Sequence, residues 1–568
     1  MKQDILLVAI NAKYIHSNPA VYSLYAYAKK WQEHIEVVEY TINQKQEEIL
    51  ADLYRRNPKM IAFSCYIWNI PMVENLLLDI PKVLPDVDLW LGGPEVSFDG
   101  PKRLELFPCL TGIVVGEGEE TFAELAECYA DGCATGERLA EVAGLCLPGA
   151  GEDAGAFYTE QRGITDLNSI PFFYEELGLE RFENRIIYYE SSRGCPFRCS
   201  YCLSSIDKQV RLRSLDLVLP ELQFFLDHKV KQVKFIDRTF NCNREHAMAI
   251  WKYLMEHDNG VTNFHFEVAA DIMTEEELSV IEQMRPGLIQ LEIGVQSTNG
   301  DTITEIRRVM DLDRVQQNVR RVKSSDNTHQ HLDLIVGLPY EDYDAFQRSF
   351  NEVYAMRPDQ LQLGFLKVLK GSYMEEMAES YGIRYHSAPP YEVLSTKWIS
   401  YDEILKLKQI EEMVELFYNS GQFTATLAVL ETGFETPFAM FAAMAEFYEK
   451  HHYHVHVPAR SYRYSVVFAF VAEYMPQAVE VVRQTLTYDL YLRENCKSRA
   501  DFALDLTPWK DEIRQRTVDK QDHIDVFTYP VWEQSGGQIM QPLPEPAFIR
   551  FCYDRRNPLT HNATIVVR

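Results

Sequence analysis

Three thiols carry the most specific chemistry in this chain. Cys195, Cys199 and Cys202 form a CxxxCxxC array within Ser191–Ser205, SSRGCPFRCSYCLSS, just after an apolar, strand-like run. The chain holds 11 Cys in 568 residues, and chance would supply such a fixed triplet on the order of 0.004 times. Three thiolates do not close a tetrahedral structural zinc site, and the nearest His, His228, is distant in sequence. Cys thiolates also hold iron–sulfur clusters, and three of them on a cubane leave one iron open to a small molecule. That open iron would be a reaction site.

The triplet needs a scaffold. Strand-like runs at Ile186–Glu190, Gln232–Ile236, Asn263–Ala269, Ile289–Gly294, His331–Val336 and Gln360–Leu366 alternate with helical patterns. Six βα units in series, with the thiol loop after the first strand, predict a partial (β/α)6 TIM-type barrel whose chemistry sits at the strand carboxyl ends. Polar motifs fall there: Asp237 in FIDRTF, Glu267 and Asp271, then Glu292, Gln296 and Ser297 in EIGVQS, and Gly337 in DLIVGLP. An inward carboxylate such as Glu267 or Glu292 is also the kind of group that pairs with a core Arg or Lys. Lys208, Arg211 and Arg213 read as a solvated basic face, and Cys242 as a small buried apolar residue.

Ahead of this barrel, runs at Ile5–Ile10, Ile35–Tyr40, Met60–Ser64, Asp88–Leu91 and Gly112–Val115 predict a doubly wound, flavodoxin/Rossmann-like sheet that binds ligands beyond its strand carboxyl ends. The loops there carry Asn11 and His16, Tyr66 and Trp68, Gly92 and Gly93, and Gly116 and Gly118. The glycines permit close backbone approach and the rings offer flat apolar surface, which suits a broad, amide-fringed ligand. The same scaffold serves other ligands. The fragment GEGEET is not a dinucleotide fingerprint, because it follows the last strand and lacks the ribose-binding acid.

Composition bounds the rest. The length suggests three to four domains: an α/β domain at 1–132, a linker at 133–180, the barrel at 181–390 and a mainly helical domain of unknown function at 391–568. A formal charge of -28, from 56 Lys plus Arg against 84 Asp plus Glu, argues against a nucleic-acid or anionic-membrane surface. Scattered, odd-numbered Cys suit a reducing compartment, and Ile5–Ile10 is too short for a signal-peptide core, so a cytoplasmic protein without a membrane partner is expected. In the last third, Ser400 caps a helical pattern at Tyr401–Tyr418, β-like runs follow at Ile524–Tyr529, Phe548–Tyr553 and Ala563–Val567, and the aromatics from Phe438 to Phe470 read as core. His452, His454 and His456 would share one face, with metal-ligand spacing, if their run is extended.

The triplet with Tyr201 before its last Cys resembles the radical S-adenosylmethionine (SAM) signature, and the GGPE and VVGEGEETF loops resemble the cobalamin-binding domain ahead of class B radical SAM cores, some of which carry an uncharacterised C-terminal domain. The resemblance implies that Cys195, Cys199 and Cys202 hold a 4Fe-4S cluster. It implies SAM contacts from Tyr201, Asp237, Glu292, Gln296, Ser297 and Gly337, with Val336 and Leu338 lining the adenine. Cobalamin would lie on Asn11, His16, Tyr66, Trp68, Gly92, Gly93, Gly116 and Gly118. The DxHxxG motif that supplies a cobalt-ligating His in methyltransferases is absent, so the corrinoid is expected to bind without a His ligand. The implied activity is reductive SAM cleavage to a 5'-deoxyadenosyl radical and methylation of an unactivated carbon in a small-molecule or peptide substrate, with an external donor such as flavodoxin or ferredoxin. Non-methylating cyclisation or rearrangement, tRNA methylthiolation, and a corrinoid sensor or carrier are the alternatives.

Overall fold

Strand Ile5–Asn11 (β1) is buried along its whole length, as a central parallel strand covered on both faces must be. It pairs in parallel with β2 (Ile35–Thr41) on one side and β3 (Met60–Ser64) on the other. β4 (Asp88–Gly92) and β5 (Leu110–Val114) continue the sheet, giving the order β2-β1-β3-β4-β5. The order reverses between β1 and β3, which opens a crevice above their carboxyl ends. The helices between these strands have local causes. Asn18 accepts from the Val21 amide at 3.4 Å with Pro19 in the first turn of Pro19–Tyr27, and Asn57, at φ 46°, ends Gln46–Arg56 in the left-handed conformation.

The computed structural model describes residues 4–149, 155–206, 209–496, 498–517, 519, 521–533 and 540–568. These divide into two compact units, Met1–Ala269 with Ile306–Val309 and Leu366–Leu394, and Ala270–Glu305 with Met310–Phe365 and Ser395–Arg568. In the first unit, the expected linker contributes two antiparallel strands, β6 (Leu145–Leu147) and β7 (Phe157–Tyr158), that extend the first sheet beyond β5. The same unit then forms β8 (Ile187–Tyr189), β9 (Gln232–Phe235) and β10 (Asn263–Val268), a parallel ladder in sequential order.

The second unit has its own parallel ladder, β11 (Ile289–Gln296), β12 (His329–Val336) and β13 (Gln360–Phe365). The predicted six barrel strands are thus all present, three in each unit, each followed by a helix or helical turn. Helices dominate the remainder. Ser400 and Glu403 form a capping box that starts the helix Tyr401–Met413, which continues as π-helical turns to Asn419. Three antiparallel strands, β14 (His523–Phe527), β15 (Ala547–Arg556) and β16 (Ala563–Val567), close the chain. The aromatics Phe438, Phe441, Phe447, Tyr448, Tyr464 and Phe470 are buried as core, whereas Phe468 is half-buried and Tyr462 is exposed. The His run is not extended: His451–His456 forms turns after the helix Pro437–Lys450, so the shared strand face does not exist. Among the described residues no helix is long and apolar enough to cross a membrane.

Candidate active site

The first unit encloses a cavity of about 1070 Å³ at the carboxyl edge of the β1–β5 sheet, at the upper end of the usual ligand-pocket range. Asn11, His16, Tyr66, Trp68, Gly92, Gly93, Gly116 and Gly118 all line it, and so does Cys202 from the thiol loop. The Tyr66 and Trp68 rings stack with centroids 4.3 Å apart at 8°. Trp68 is 42% exposed, and its indole N–H is tied to the Ile10 carbonyl at 3.2 Å. Below them Asn69 braces the turn, donating to the Ile10 and Ser64 carbonyls and accepting from the Tyr66 amide. Asn11 donates to the His16 carbonyl at 3.1 Å and to Glu39 at 2.9 Å. The His16 Nδ1 meets the Tyr188 hydroxyl at 2.6 Å; burial, then the charges of Lys13 and Lys234, hold the imidazole below its usual pKa.

Glycine is required where the sheet edge comes closest to its own loops. Gly93 sits at φ 112°, and a Cβ there would lie 2.6 Å from the Cys65 carbonyl oxygen. Gly93→Ala should therefore cost on the order of 1–3 kcal/mol and displace the cavity wall. The expected readout is a lowered Tm. Gly116→Ala is the comparison, since that position is strained at φ 78° but has nothing within 4 Å.

The thiol loop hangs from a short antiparallel base, Ser192–Arg193 against Arg211–Leu212. Asp237, at the end of β9 and fully buried, anchors it, accepting from the Ser191 amide (2.8 Å) and from the hydroxyls of Ser191 (2.6 Å) and Ser192 (2.8 Å). Burial pushes the Asp237 carboxyl up to about 6 against these hydrogen bonds. Arg193 binds Glu190 through two nitrogens (2.9 and 2.8 Å) and Glu119 at 2.7 Å, and Arg211 binds Glu117 bidentately. Arg213 is buried against Glu221 and the Leu167 and Ile170 carbonyls. Arg211 and Arg213 are thus not a solvated face; the carboxylates of the 117–119 loop and of Glu221 recruit them. Lys208 lies outside the described residues.

Cys195 and Cys199 are buried and Cys202 half-buried, all as free thiols. Cys195 Sγ is 3.6 Å from the Thr239 hydroxyl. Arg308 places a guanidinium nitrogen 3.8 Å from Cys199 Sγ and 3.4 Å from the Tyr201 hydroxyl. Burial pushes the Cys199 thiol up while Arg308 opposes it. Sequence reading missed Arg308; its only signal was the Arg307-Arg308 pair just beyond the EIGVQS strand in an acidic chain.

In the second unit, a register shift between Gly294 and Gln296 turns the end of β11. Gln296 stands at φ 73°, and its side-chain oxygen is buried with no hydrogen-bond partner among the described residues. Ser297 donates to Glu341 at 2.6 Å, which also accepts from Ser349 at 2.9 Å. Gly337 adopts φ 87° between the buried Val336 and Leu338. Glu292 lies with His331 and Asp333 in a cluster whose ligand-type atoms are all within 4.8 Å of one another. Burial raises the Glu341 carboxyl to about 7 from 4.5. A carboxyl raised on folding contributes stability that is fully present below about 4.5 and lost as pH rises through about 7. Glu341→Gln removes this titration, so its Tm relative to wild type should rise between pH 5 and pH 8.

Three family models match this chain: a B12 binding domain over residues 5–126, the radical SAM superfamily over residues 189–353, and a protein of unknown function, DUF4080, over residues 379–541. The chain thus carries a B12 binding domain followed by a radical SAM domain. An uncharacterised methyltransferase of Pyrococcus horikoshii is 24% identical to this radical SAM protein over 349 residues, 58% of this chain and 71% of that one. The cobalamin-dependent radical SAM methyltransferase TokK of Streptomyces tokunonensis is 24% identical over 352 residues, 58% of this chain and 50% of TokK, so the match spans half of TokK's length. Among solved structures, the cobalamin-dependent S-adenosylmethionine radical enzyme OxsB, with aqua-cobalamin and SAM bound, has the same fold at a TM-score of 0.57 and 14% identity, covering 86% of this chain and 83% of that one.

The residues of this radical SAM protein fit the family's three cofactors. The corrinoid has a large crevice at the switch point, walled by glycine backbone and a stacked aromatic pair. The cluster has three free thiols on a braced loop with a cation beside it. For SAM, the buried Gln296 oxygen at a strand carboxyl end, unpartnered among the described residues, is an acceptor that a ligand hydroxyl or amine would satisfy.

Proposed function

We propose that this protein is a cytoplasmic, cobalamin-dependent radical SAM enzyme that methylates an unactivated carbon of a small-molecule or peptide substrate, using an external flavodoxin- or ferredoxin-type electron donor. One observation carries this reading: a single cavity is lined both by the glycine and aromatic loops of the first sheet and by Cys202 of the thiol loop. When bound, the reduced cluster supplies the electron that cleaves SAM, and the corrinoid supplies the methyl group. Cys195, Cys199 and Cys202 hold the cluster. Tyr201, Glu292, Gln296 and Gly337 hold SAM. The cobalamin would lie on the eight lining residues of the first sheet, and the chain lacks the DxHxxG motif that supplies a His to cobalt. Asp237 and Ser297 act as positioning residues, since Asp237 is occupied by Ser191 and Ser192, and Ser297 by Glu341. Residues 1–132 serve the corrinoid, 181–390 the radical chemistry and 391–568 substrate selection, with 133–180 joining the first two.

The cavity's role is to hold the reacting groups in line and exclude water. The test is anaerobic reconstitution with iron, sulfide and cobalamin, followed by incubation with methyl-labelled SAM, reductant and extract of the source cells. Cluster absorption, 5'-deoxyadenosine and a labelled product are expected. Absence of both cluster and 5'-deoxyadenosine would overturn the reading, and 5'-deoxyadenosine without label transfer would select non-methylating radical chemistry.

A further inference from the structure

Charge in the cavity is almost entirely compensated from within the protein. Three of its carboxylates are tied to Arg193, Lys370 holds Glu95 at 3.1 Å, and Arg213 holds Glu221. Arg238 differs. Its side chain lines the cavity and is exposed, and among the described residues it makes no ion pair. Its backbone is held firmly, because Asp237 before it anchors Ser191 and Ser192 and Thr239 after it touches Cys195 Sγ. Its charge is felt at the Tyr66 hydroxyl: burial pushes that group up, and the Arg238 charge opposes it.

The cavity wall also carries apolar side chains, among them Trp68, Leu203, Ile206 and Ile236. Filling such a cavity strips water from the guanidinium, which is costly unless an anion replaces that water. The planar fork of an Arg matches a carboxylate or phosphate through two parallel hydrogen bonds. Resting on the function proposed above, we infer that the substrate bears a carboxylate or phosphate group that docks on Arg238, which thereby fixes the reacting carbon next to the thiol loop.

The test compares wild type, Arg238→Gln and Arg238→Lys, each loaded with cluster and cobalamin, in the methyl-label assay with cell extract. The labelled product of wild type should be retained on an anion exchanger at neutral pH. With limiting extract, Arg238→Gln should yield at least about tenfold less label, as loss of a charge-assisted pair implies, while surplus extract restores it and Arg238→Lys falls between. Cobalamin and cobinamide titrations locate the anion: both affinities unchanged in Arg238→Gln supports a substrate group. Loss of cobalamin but not cobinamide affinity assigns the contact to the corrinoid's own phosphate and overturns the inference. A neutral or cationic product, or wild-type labelling by Arg238→Gln, overturns it as well. A loaded wild type that labels nothing overturns the proposed function and this inference together.

Discussion

Replacing Cys195, Cys199 or Cys202 by Ala, one at a time, should abolish cluster absorption after anaerobic reconstitution and reduce 5'-deoxyadenosine formation to background. Each thiolate holds one iron of the proposed cubane, so losing one leaves two irons without protein ligands. The loop cannot relax to recruit another group easily, because its base is pinned by Asp237 and its middle by backbone hydrogen bonds from Ser200 to Ile306 and from Met374 to Ser200. Cys242 is the discriminating control. It is half-buried, follows β9 closely, and lies near enough to Cys195 for the two to interact electrostatically. Cys242→Ala should retain full iron content and SAM cleavage. Wild-type protein that takes up zinc and no iron, or a Cys199→Ala variant that keeps both cluster and cleavage, would sink the assignment.

The parallel strands were legible because periodicity and β-branched content report burial directly: Met60–Ser64 matches at both ends, and each of the other ten runs is matched to within three residues. The thiol triplet was legible because its spacing is local. What pairs with what was not. Arg211 and Arg213 look like a basic surface in sequence, and only the approach of Glu117 and Glu221 buries them. Asp237 sits at a strand end like a ligand-binding acid, yet two adjacent serines across the sheet engage both of its oxygens. Arg308 is 109 positions from the Cys199 it touches. The His run failed for a simpler reason: helix Pro437–Lys450 runs up to it and unwinds into turns, so a spacing that suits a strand has no strand to sit on. Short edge strands such as β6 and β7, three and two residues long, have too little periodicity to declare themselves.

Neutralising Arg193 and Arg211 together, as Arg193→Gln with Arg211→Gln, should uncouple SAM cleavage from methyl transfer. These two Arg stand opposite each other on the base of the thiol loop and reach Glu117 in the loop after β5 and Glu119 at the start of the helix that follows, beside Gly116 and Gly118 of the cavity wall. They tie the thiol loop to that segment, the two places proposed to hold the cluster and the corrinoid. Burial alone would raise the Glu117 carboxyl, but the Arg211 hydrogen bonds and then the Arg193 charge override it and bring it down to about 2. Removing the Arg pair leaves Glu117, Glu119 and Glu190 facing one another without a cation, a penalty of about 3 kcal/mol at such a partly buried site. The loops then separate to admit water. With both cofactors still loaded, the ratio of 5'-deoxyadenosine to labelled product should rise, and the spin coupling between cob(II)alamin and the reduced cluster should weaken in pulsed electron paramagnetic resonance. A purely structural role would lower Tm and leave that coupling unchanged in the folded fraction. Arg211→Lys keeps the charge without the bidentate fork and should fall between, while the swap of Glu117→Arg with Arg211→Glu should restore coupling. Unchanged spin coupling and product ratio in the loaded double variant would show that the ion pairs do not set the distance between the cofactors.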